Sequence, residues 1–141
     1  MDQVKALPYA SRIGLKAENT IQLVESIRRG LPYSAFERLQ ADIGVSSREL
    51  AGLVGISPRT LARRKSEGRL HPDESERLLR ASRIYDSAVS LFEGDKAGAL
   101  GWMRAPAAAL SGRKPIEFAR TEVGAREVED LIGRLEHGVF A

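Results

Sequence analysis

A run of basic and hydroxyl side chains between positions 57 and 69 could recognise nucleic acid. An arginine guanidinium can form two hydrogen bonds with guanine, and a threonine can bond a base edge or touch the thymine methyl group. Lys65 and Arg69 stand where phosphates would pass, and phosphate contacts fix the register of a protein on DNA without reading the sequence. The residues predicted to contact DNA, as exposed side chains on or beside a recognition helix, are Ser57, Arg59, Thr60, Arg63, Arg64, Lys65 and Arg69.

Two short helices joined by a tight turn are predicted to position this run. Ser46 or Ser47 can cap the first helix, and Gly55 suits a turn in which one residue needs a positive φ. Ser57 can cap the second helix, and Pro58 fits its first turn. The pattern is typical of a helix-turn-helix, whose second helix enters the major groove. The apolar residues that would pack the pair together are Leu50, Ala51, Val54, Ile56, Leu61 and Ala62.

Helical periodicity dominates the rest of the chain, and strand-like alternation is nearly absent. The fold class is therefore predicted as all-α, with a helix-turn-helix region followed by a small helical domain. The helix that follows Asn19 is predicted to bury a face made of Ile21, Val24, Ile27 and Leu31. The other predicted helices run from Pro32 to Gly44, from Pro72 to Gly94, over Lys96–Met103, from Pro115 as a short turn or helix, and over Gly124–His137.

Composition and charge restrict the classes of protein to which this chain can belong. The chain has 141 residues, a net charge of +3 and no cysteine. The lack of cysteine excludes disulfides and thiolate metal sites and predicts a cytoplasmic protein. The N-terminal residues lack the apolar core of a signal peptide, and no stretch is long enough to span a membrane. Residues 1–70 carry a net charge of +5 and residues 71–141 a net charge of −2. This asymmetry favours two different partners, although surface charges can also fall this way by chance.

No set of residues converges in a way that predicts catalysis. The two histidines, His71 and His137, have no cysteine or clustered carboxylates beside them to complete a metal site. No serine lies in a nucleophile elbow, and no glycine-rich loop precedes a lysine followed by a hydroxyl residue. The adjacent acids Glu129 and Asp130 would point in different directions on a helix. The chain is therefore predicted not to be an enzyme, with no catalytic residue, metal or cofactor.

Three glycine-containing motifs mark the C-terminal half: Gly-x-x-Pro at Gly112, Gly-x-x-x-Val at Gly124 and Gly-Val-Phe at Gly138. The helix-turn-helix itself resembles that of phage-repressor-like, Xre-type DNA-binding proteins. Taken together, the two halves resemble the Xre/MbcA/ParS antitoxins, and the likeness is nearest to Xre antitoxins that are paired with RES-domain toxins. It extends from about Thr20 to Ala141.

The resemblance implies a homodimer that binds operator DNA at its own promoter and holds a RES-domain toxin that consumes NAD. It also implies that the C-terminal region covers the active-site cleft of the toxin, so that NAD cannot enter. Gly112, Lys114, Pro115 and Gly124 would shape this toxin-binding domain. The residues that the resemblance assigns to toxin binding are Lys114 and the tail Gly138, Val139, Phe140 and Ala141.

The tail has side chains that suit this role. Phe140 could act as an aromatic anchor in a partner cleft, and the terminal carboxylate of Ala141 could meet a toxin arginine. The alternative is a frayed terminus that contributes nothing, as chain ends often do. Trp102 has the same two interpretations, since a tryptophan at helical spacing can belong to the core or to an interface.

The predicted organisation is an N-terminal arm over residues 1–18, whose flexibility is left open, a helix-turn-helix region over 19–70 and a toxin-binding domain over 71–141. Two alternatives remain open. One is a stand-alone helix-turn-helix transcriptional regulator whose C-terminal half serves only dimerisation. The other is an interaction protein whose helix-turn-helix no longer binds DNA, because a fold does not by itself determine function.

Overall fold

The computed structural model describes residues 7–138. Within that range the chain is all-α, as predicted, and no β-strand is present. Among the described residues, no helix combines the length and the apolar character needed to cross a membrane. The helices are α1 (Pro8–Ser11), α2 (Thr20–Arg29), α3 (Tyr33–Ile43), α4 (Ser47–Val54), α5 (Pro58–Glu67), α6 (Pro72–Leu91), α7 (Lys96–Arg104), a 3₁₀ helix (Ala108–Leu110), α8 (Pro115–Phe118) and α9 (Glu122–Glu136).

The chain divides into two compact units after Ser82, within α6, rather than after residue 70. The first turns of α6 belong to the first unit because their side chains hold its loops. The Ser75 hydroxyl accepts a hydrogen bond from the Leu31 amide at 2.8 Å and donates one to the His71 carbonyl at 2.8 Å. Leu78, one helical turn further on, is fully buried.

The described part of the N-terminal segment also belongs to the first unit. Arg12 forms an ion pair with Asp42 of α3 at 2.6 Å, and the Ser82 hydroxyl donates to the Tyr9 carbonyl at 2.7 Å. Its buried side chains are Ala10, Ile13 and Ala17. Residues 7–18 are therefore packed within the first unit.

Helix α2 faces the core with a different side from the one predicted. Leu23 is only 6% exposed, whereas Ile21 is 73% and Val24 46% exposed. The sequence offers two apolar stripes on this helix, because Leu23 and Ile27 are also one turn apart. Packing selects the second stripe and leaves Ile21 and Val24 at the surface.

The connection from α5 to α6 is paired with the loop between α2 and α3. The Leu70 amide donates to the Leu31 carbonyl at 2.8 Å, and the Tyr33 amide donates to the Gly68 carbonyl at 3.0 Å. Gly30 allows this close approach, since a Cβ there would lie 2.2 Å from the Leu70 carbonyl oxygen. These bonds hold the C-terminal end of α5 in place.

In the second unit α8 packs against both α7 and α9. Thr121 caps α9 by accepting the Gly124 amide at 3.0 Å, so this helix begins two positions earlier than predicted. The core side chains of this unit include Tyr85, Ala88, Met103, Ile116, Val128 and Ile132. Its short elements meet around Gly124, which is itself buried.

Candidate nucleic-acid and partner interfaces

Local capping builds the helix-turn-helix as the sequence predicts. The Ser46 hydroxyl accepts the Glu49 amide at 3.0 Å, and the Ser57 hydroxyl accepts the Thr60 amide at 3.1 Å. Gly55 has φ of 74°, in the left-handed region that favours glycine. The predictions of both caps and of the glycine turn are confirmed.

Arg77 of α6 stabilises the turn between α4 and α5. Its Nε donates to the Val54 carbonyl at 2.9 Å and its Nη2 donates to the Gly55 carbonyl at 3.4 Å. These carbonyls end α4 and have no partner within their own helix, and a cation at a helix C-terminus also interacts well with the helix dipole. One guanidinium thus caps the end of α4 and ties the turn to α6.

The surface of α5 presents Arg59, Arg63 and Lys65, all of them exposed. Arg59 and Arg63 are four residues apart and so share one side of the helix. The hydroxyls of Ser57 and Thr60 lie at the N-terminal end, where the first bonds the second at 3.0 Å. This end of the helix carries a partial positive charge, which adds to the attraction for phosphate.

Arg64 does not belong to this surface, and its prediction as an exposed DNA contact is corrected. The residue is only 6% exposed, and its Nε donates to Glu74 at 2.7 Å. Its Nη1 reaches Glu67 at 3.4 Å and its Nη2 reaches His71 Nδ1 at 3.2 Å. A guanidinium can only donate, so His71 Nδ1 is the acceptor. Arg64 lies three residues after buried Leu61 and therefore faces the protein.

The Arg64–Glu74 pair shifts the pKa of both groups toward the charged state. Burial by itself would raise the pKa of Glu74, but hydrogen bonds from the Arg64 guanidinium and the His71 amide, with the charge of Arg64, hold it below its usual value of 4.5. The hydrogen bond to Glu74 is also the main cause that raises the pKa of Arg64. The pair ties α5 to the first turn of α6.

Arg69 lies beyond the end of α5 and is exposed, but its guanidinium is engaged within the protein. Its Nη1 donates to the Gly30 carbonyl at 2.5 Å and lies 3.5 Å from the Arg29 carbonyl. Both carbonyls belong to the end of α2. The structure therefore places Arg69 apart from the α5 surface, as a cap for another helix.

A groove of about 460 Å³ lies beside α5, between that helix, α3 and α4. Lys65 of α5 and Arg48 of α4 both line it, together with Tyr33 and Glu37 of α3. Burial, and then the charge of Glu37, raises the pKa of Tyr33. Arg48 was not among the residues predicted from the sequence to contact DNA. Its position two residues after the cap Ser46, at a helix N-terminus, is the signal that could have identified it.

In the second unit the predicted site residues lie on a tight loop and at the end of α9. Lys114 is exposed and precedes the first residue of α8. Ser111 and Gly112 are both left-handed, with φ of 57° and 79°, so the chain reverses sharply just before it. Gly138 is exposed directly after the last turn of α9. Val139, Phe140 and Ala141 lie outside the described residues.

A second groove, of about 440 Å³, lies between α8 and the start of α9. Arg113, Glu117 and half-buried Phe118 line it on the side of α8. Val123 lines it on the side of α9 and is 77% exposed. The sequence prediction gave Val123 no role of its own, because a single valine at a helix start carries no distinctive pattern.

Glu129, considered above as one of two adjacent acids, is held in an ion pair. Arg83 donates to its two carboxylate oxygens at 3.0 and 3.2 Å. In the part of the chain that the structure describes, no group of three or more His, Asp or Glu side chains is placed to hold a metal ion.

Two family descriptions match these two units. Residues 22–83 match the antitoxin Xre-like helix-turn-helix domain, and residues 87–138 match the antitoxin Xre/MbcA/ParS C-terminal toxin-binding domain. An antitoxin Xre of Yersinia enterocolitica is 44% identical over 130 residues, which cover 92% of this chain and 88% of that protein. The chain belongs to the Xre antitoxin family.

Two further relatives are more distant. An antitoxin Xre of Photorhabdus laumondii is 34% identical over 140 residues, covering 99% of this chain and 95% of that protein. A protein of a Sphingobium strain named Prs ADP-ribosylating antitoxin is 22% identical over 148 residues, covering 99% and 93%. The chain is thus an antitoxin of a toxin–antitoxin system and not an enzyme. Its helix-turn-helix domain implies DNA as one partner, and its C-terminal domain implies a toxin as the other.

Proposed function

We propose that this antitoxin neutralises a RES-type toxin that consumes NAD, by covering the toxin's substrate cleft with its C-terminal region. The observation that carries the proposal is the match of residues 87–138 to a toxin-binding domain, because that domain ends directly before the tail Val139–Ala141. The name of the Sphingobium relative refers to ADP-ribosylation, a reaction that uses NAD as the donor. Phe140 in this tail would act as the aromatic anchor in the cleft.

The same antitoxin is proposed to repress its own operon by binding operator DNA through α5. Arg59 and Arg63, both exposed on α5, would read base edges in the major groove. Lys65 and Arg48, on the walls of one groove, would bond the phosphates of the adjacent strand. Arg64 has no part in this contact, since it is buried against Glu74.

A homodimer is proposed to form through α2. Its exposed face carries Ile21 and Val24, which leave an apolar patch on the first unit. Glu25 lies near the middle of this helix, and Arg28 and Arg29 lie at its C-terminal end. An antiparallel pairing of two copies would cover this patch on both of them. Two copies of α5 would then fit a pseudo-palindromic operator with half-sites about 34 Å apart.

The toxin part of the proposal is tested by co-expression with the product of the neighbouring gene. Full-length antitoxin should capture that protein and restore growth, and a version that lacks residues 138–141 should do neither. A matched version in which the same positions are replaced by glycine and serine separates loss of side chains from loss of length. Equal capture and rescue by all three versions would contradict occlusion by the tail. No capture at all would favour a stand-alone regulator.

The operator part is tested with the variants Arg59→Ala and Arg63→Ala in a DNA-binding titration on the promoter fragment. Each should weaken specific binding by about ten-fold or more, the loss of one good base contact. Lys65→Ala should weaken binding to all sequences and make it less dependent on salt. Arg126→Ala, an exposed arginine of α9, is the matched control and should bind as the wild type. Unchanged binding by both α5 variants would remove α5 as the reading helix.

A further inference from the structure

The groove between α8 and α9 lies wholly inside the residues that match the toxin-binding domain, and both apolar and charged side chains line it. Val123 projects at its edge with 77% exposure, and Phe118 is half-buried beside it. We propose that this groove is a docking surface for an apolar segment of the toxin, separate from the contact made by the tail. The inference depends on the proposed toxin partner but not on the reaction that the toxin catalyses.

The position of Val123 is unfavourable for a residue without a partner. It is the second residue of α9, where the helix dipole favours an acid, and β-branched residues are weak helix formers. An exposed valine gains nothing from water, and half-buried Phe118 lines the same groove. If Val123 is buried against a partner, its apolar surface is removed from water and stabilises the complex.

The shape of the groove is set by backbone contacts rather than by mobile side chains. Gly124, directly after Val123, lies so close to α8 that a Cβ there would be 1.7 Å from the Phe118 carbonyl oxygen. The Thr121 hydroxyl fixes the same turn by accepting the Gly124 amide at 3.0 Å. A preformed surface of this kind costs little entropy on binding.

The charges at the rim describe the chemistry of the partner. Arg113 lines the groove, and Lys114 is its exposed neighbour along the chain. Glu117 provides one opposing charge on the same wall. A toxin segment that inserts an aliphatic or aromatic side chain beside Val123 and places a carboxylate near Arg113 would complement both features.

The test compares Val123→Glu with Ala97→Glu in binding titrations against the purified toxin encoded beside the antitoxin gene. Ala97 is the exposed second residue of α7, so both variants place a glutamate at the same helix position in the same unit. Glutamate suits both positions, and both variants should therefore keep the far-ultraviolet circular dichroism of the wild type. Val123→Glu should weaken toxin binding by about ten-fold or more, the equivalent of burying one valine. Ala97→Glu should bind normally.

A third variant, Val123→Leu, keeps an apolar side chain and should retain most of the affinity. Toxin binding by Val123→Glu at wild-type strength would overturn the docking surface and leave the tail model intact. Equal weakening by both glutamate variants would also overturn it, since the effect would then come from charge alone. Failure of the wild-type antitoxin to bind the toxin would contradict the proposed function itself.

Discussion

Replacing Gly124 by alanine is the most informative single change in the second unit. The added Cβ would stand 1.7 Å from the Phe118 carbonyl oxygen and 2.8 Å from its carbonyl carbon, and real Cβ atoms essentially never come within 3.0 Å of such atoms. Both obstructing atoms are backbone, so no rotamer change can relieve the contact. Helices α8 and α9 would have to separate by more than an ångström.

The size of the effect follows from this geometry. Adding a methyl group to a packed interior usually costs about 1–3 kcal/mol of unfolding free energy. Because the neighbour is backbone, we expect the upper end, about 3 kcal/mol, after the gain of up to about 1 kcal/mol that alanine brings to a helix. Gly133, in the same helix, is the matched control, since a Cβ there would meet nothing within 4 Å. Gly133→Ala should be stabilising by about 0.5–1 kcal/mol.

The assay is urea unfolding followed by far-ultraviolet circular dichroism, with toxin capture measured in parallel. Gly124→Ala should lower the unfolding free energy and lose the toxin, because the α8–α9 groove loses its shape. Gly133→Ala should raise the free energy and keep the toxin. Wild-type stability in Gly124→Ala, or equal destabilisation by both changes, would refute the close approach of α8 and α9.

Three further changes test other parts of the structure. The pKa of Glu74 is lower in the folded protein than in the unfolded chain, so the stability that its carboxylate contributes is complete above pH 4.5 and is lost as the pH falls through the lower folded value. Glu74→Gln should therefore make the unfolding free energy fall less steeply with decreasing pH in the acid range. The same steep fall in this variant would contradict the prediction. Arg77→Ala should lower the unfolding free energy, measured in urea, by about 1–2 kcal/mol, because the end of α4 loses its cap. An unchanged unfolding free energy would show that this cap does not stabilise the fold. If the proposed homodimer forms through α2, Ile21→Glu should sediment as a monomer in analytical ultracentrifugation, and a persistent dimer would place the interface elsewhere.

The local parts of the helix-turn-helix could be predicted from the sequence because their causes are local. Ser46 and Ser57 cap helices through bonds that reach three residues along the chain, and Gly55 meets a backbone requirement of its own turn. The all-α class follows in the same way from periodicity. These features depend on short-range rules that one sequence displays in full.

Features that depend on partners distant in the chain could not be predicted in this way. Arg64 was expected to face DNA because its charge suits DNA, but its side chain meets Glu74, ten residues later. The three-residue spacing from Leu61 puts Arg64 on the buried side of α5, and the ion pair with Glu74 offsets the free-energy cost of burying the guanidinium. Helix α2 shows the same limit, since two apolar stripes were present and only tertiary packing chose Leu23 over Ile21.

The C-terminal site was predicted by motif rather than by physics, and the structure supplies one reason for a motif glycine. Gly124 is required by the proximity of the Phe118 carbonyl, which periodicity cannot reveal. Lys114 sits beside the α8–α9 groove, whereas Val123, its most exposed apolar residue, belongs to no motif. Shape and exposure locate this surface, and both require the folded chain.

The proposal that this antitoxin silences a toxin that consumes NAD can be tested by measuring NAD consumption by the purified neighbouring gene product. We expect the toxin alone to deplete NAD, stoichiometric full-length antitoxin to stop the reaction, and antitoxin that lacks residues 138–141 to leave much of the reaction running. A toxin that binds the antitoxin yet leaves NAD intact would contradict the NAD-consuming assignment. A bound toxin that continues to consume NAD would contradict occlusion of its cleft.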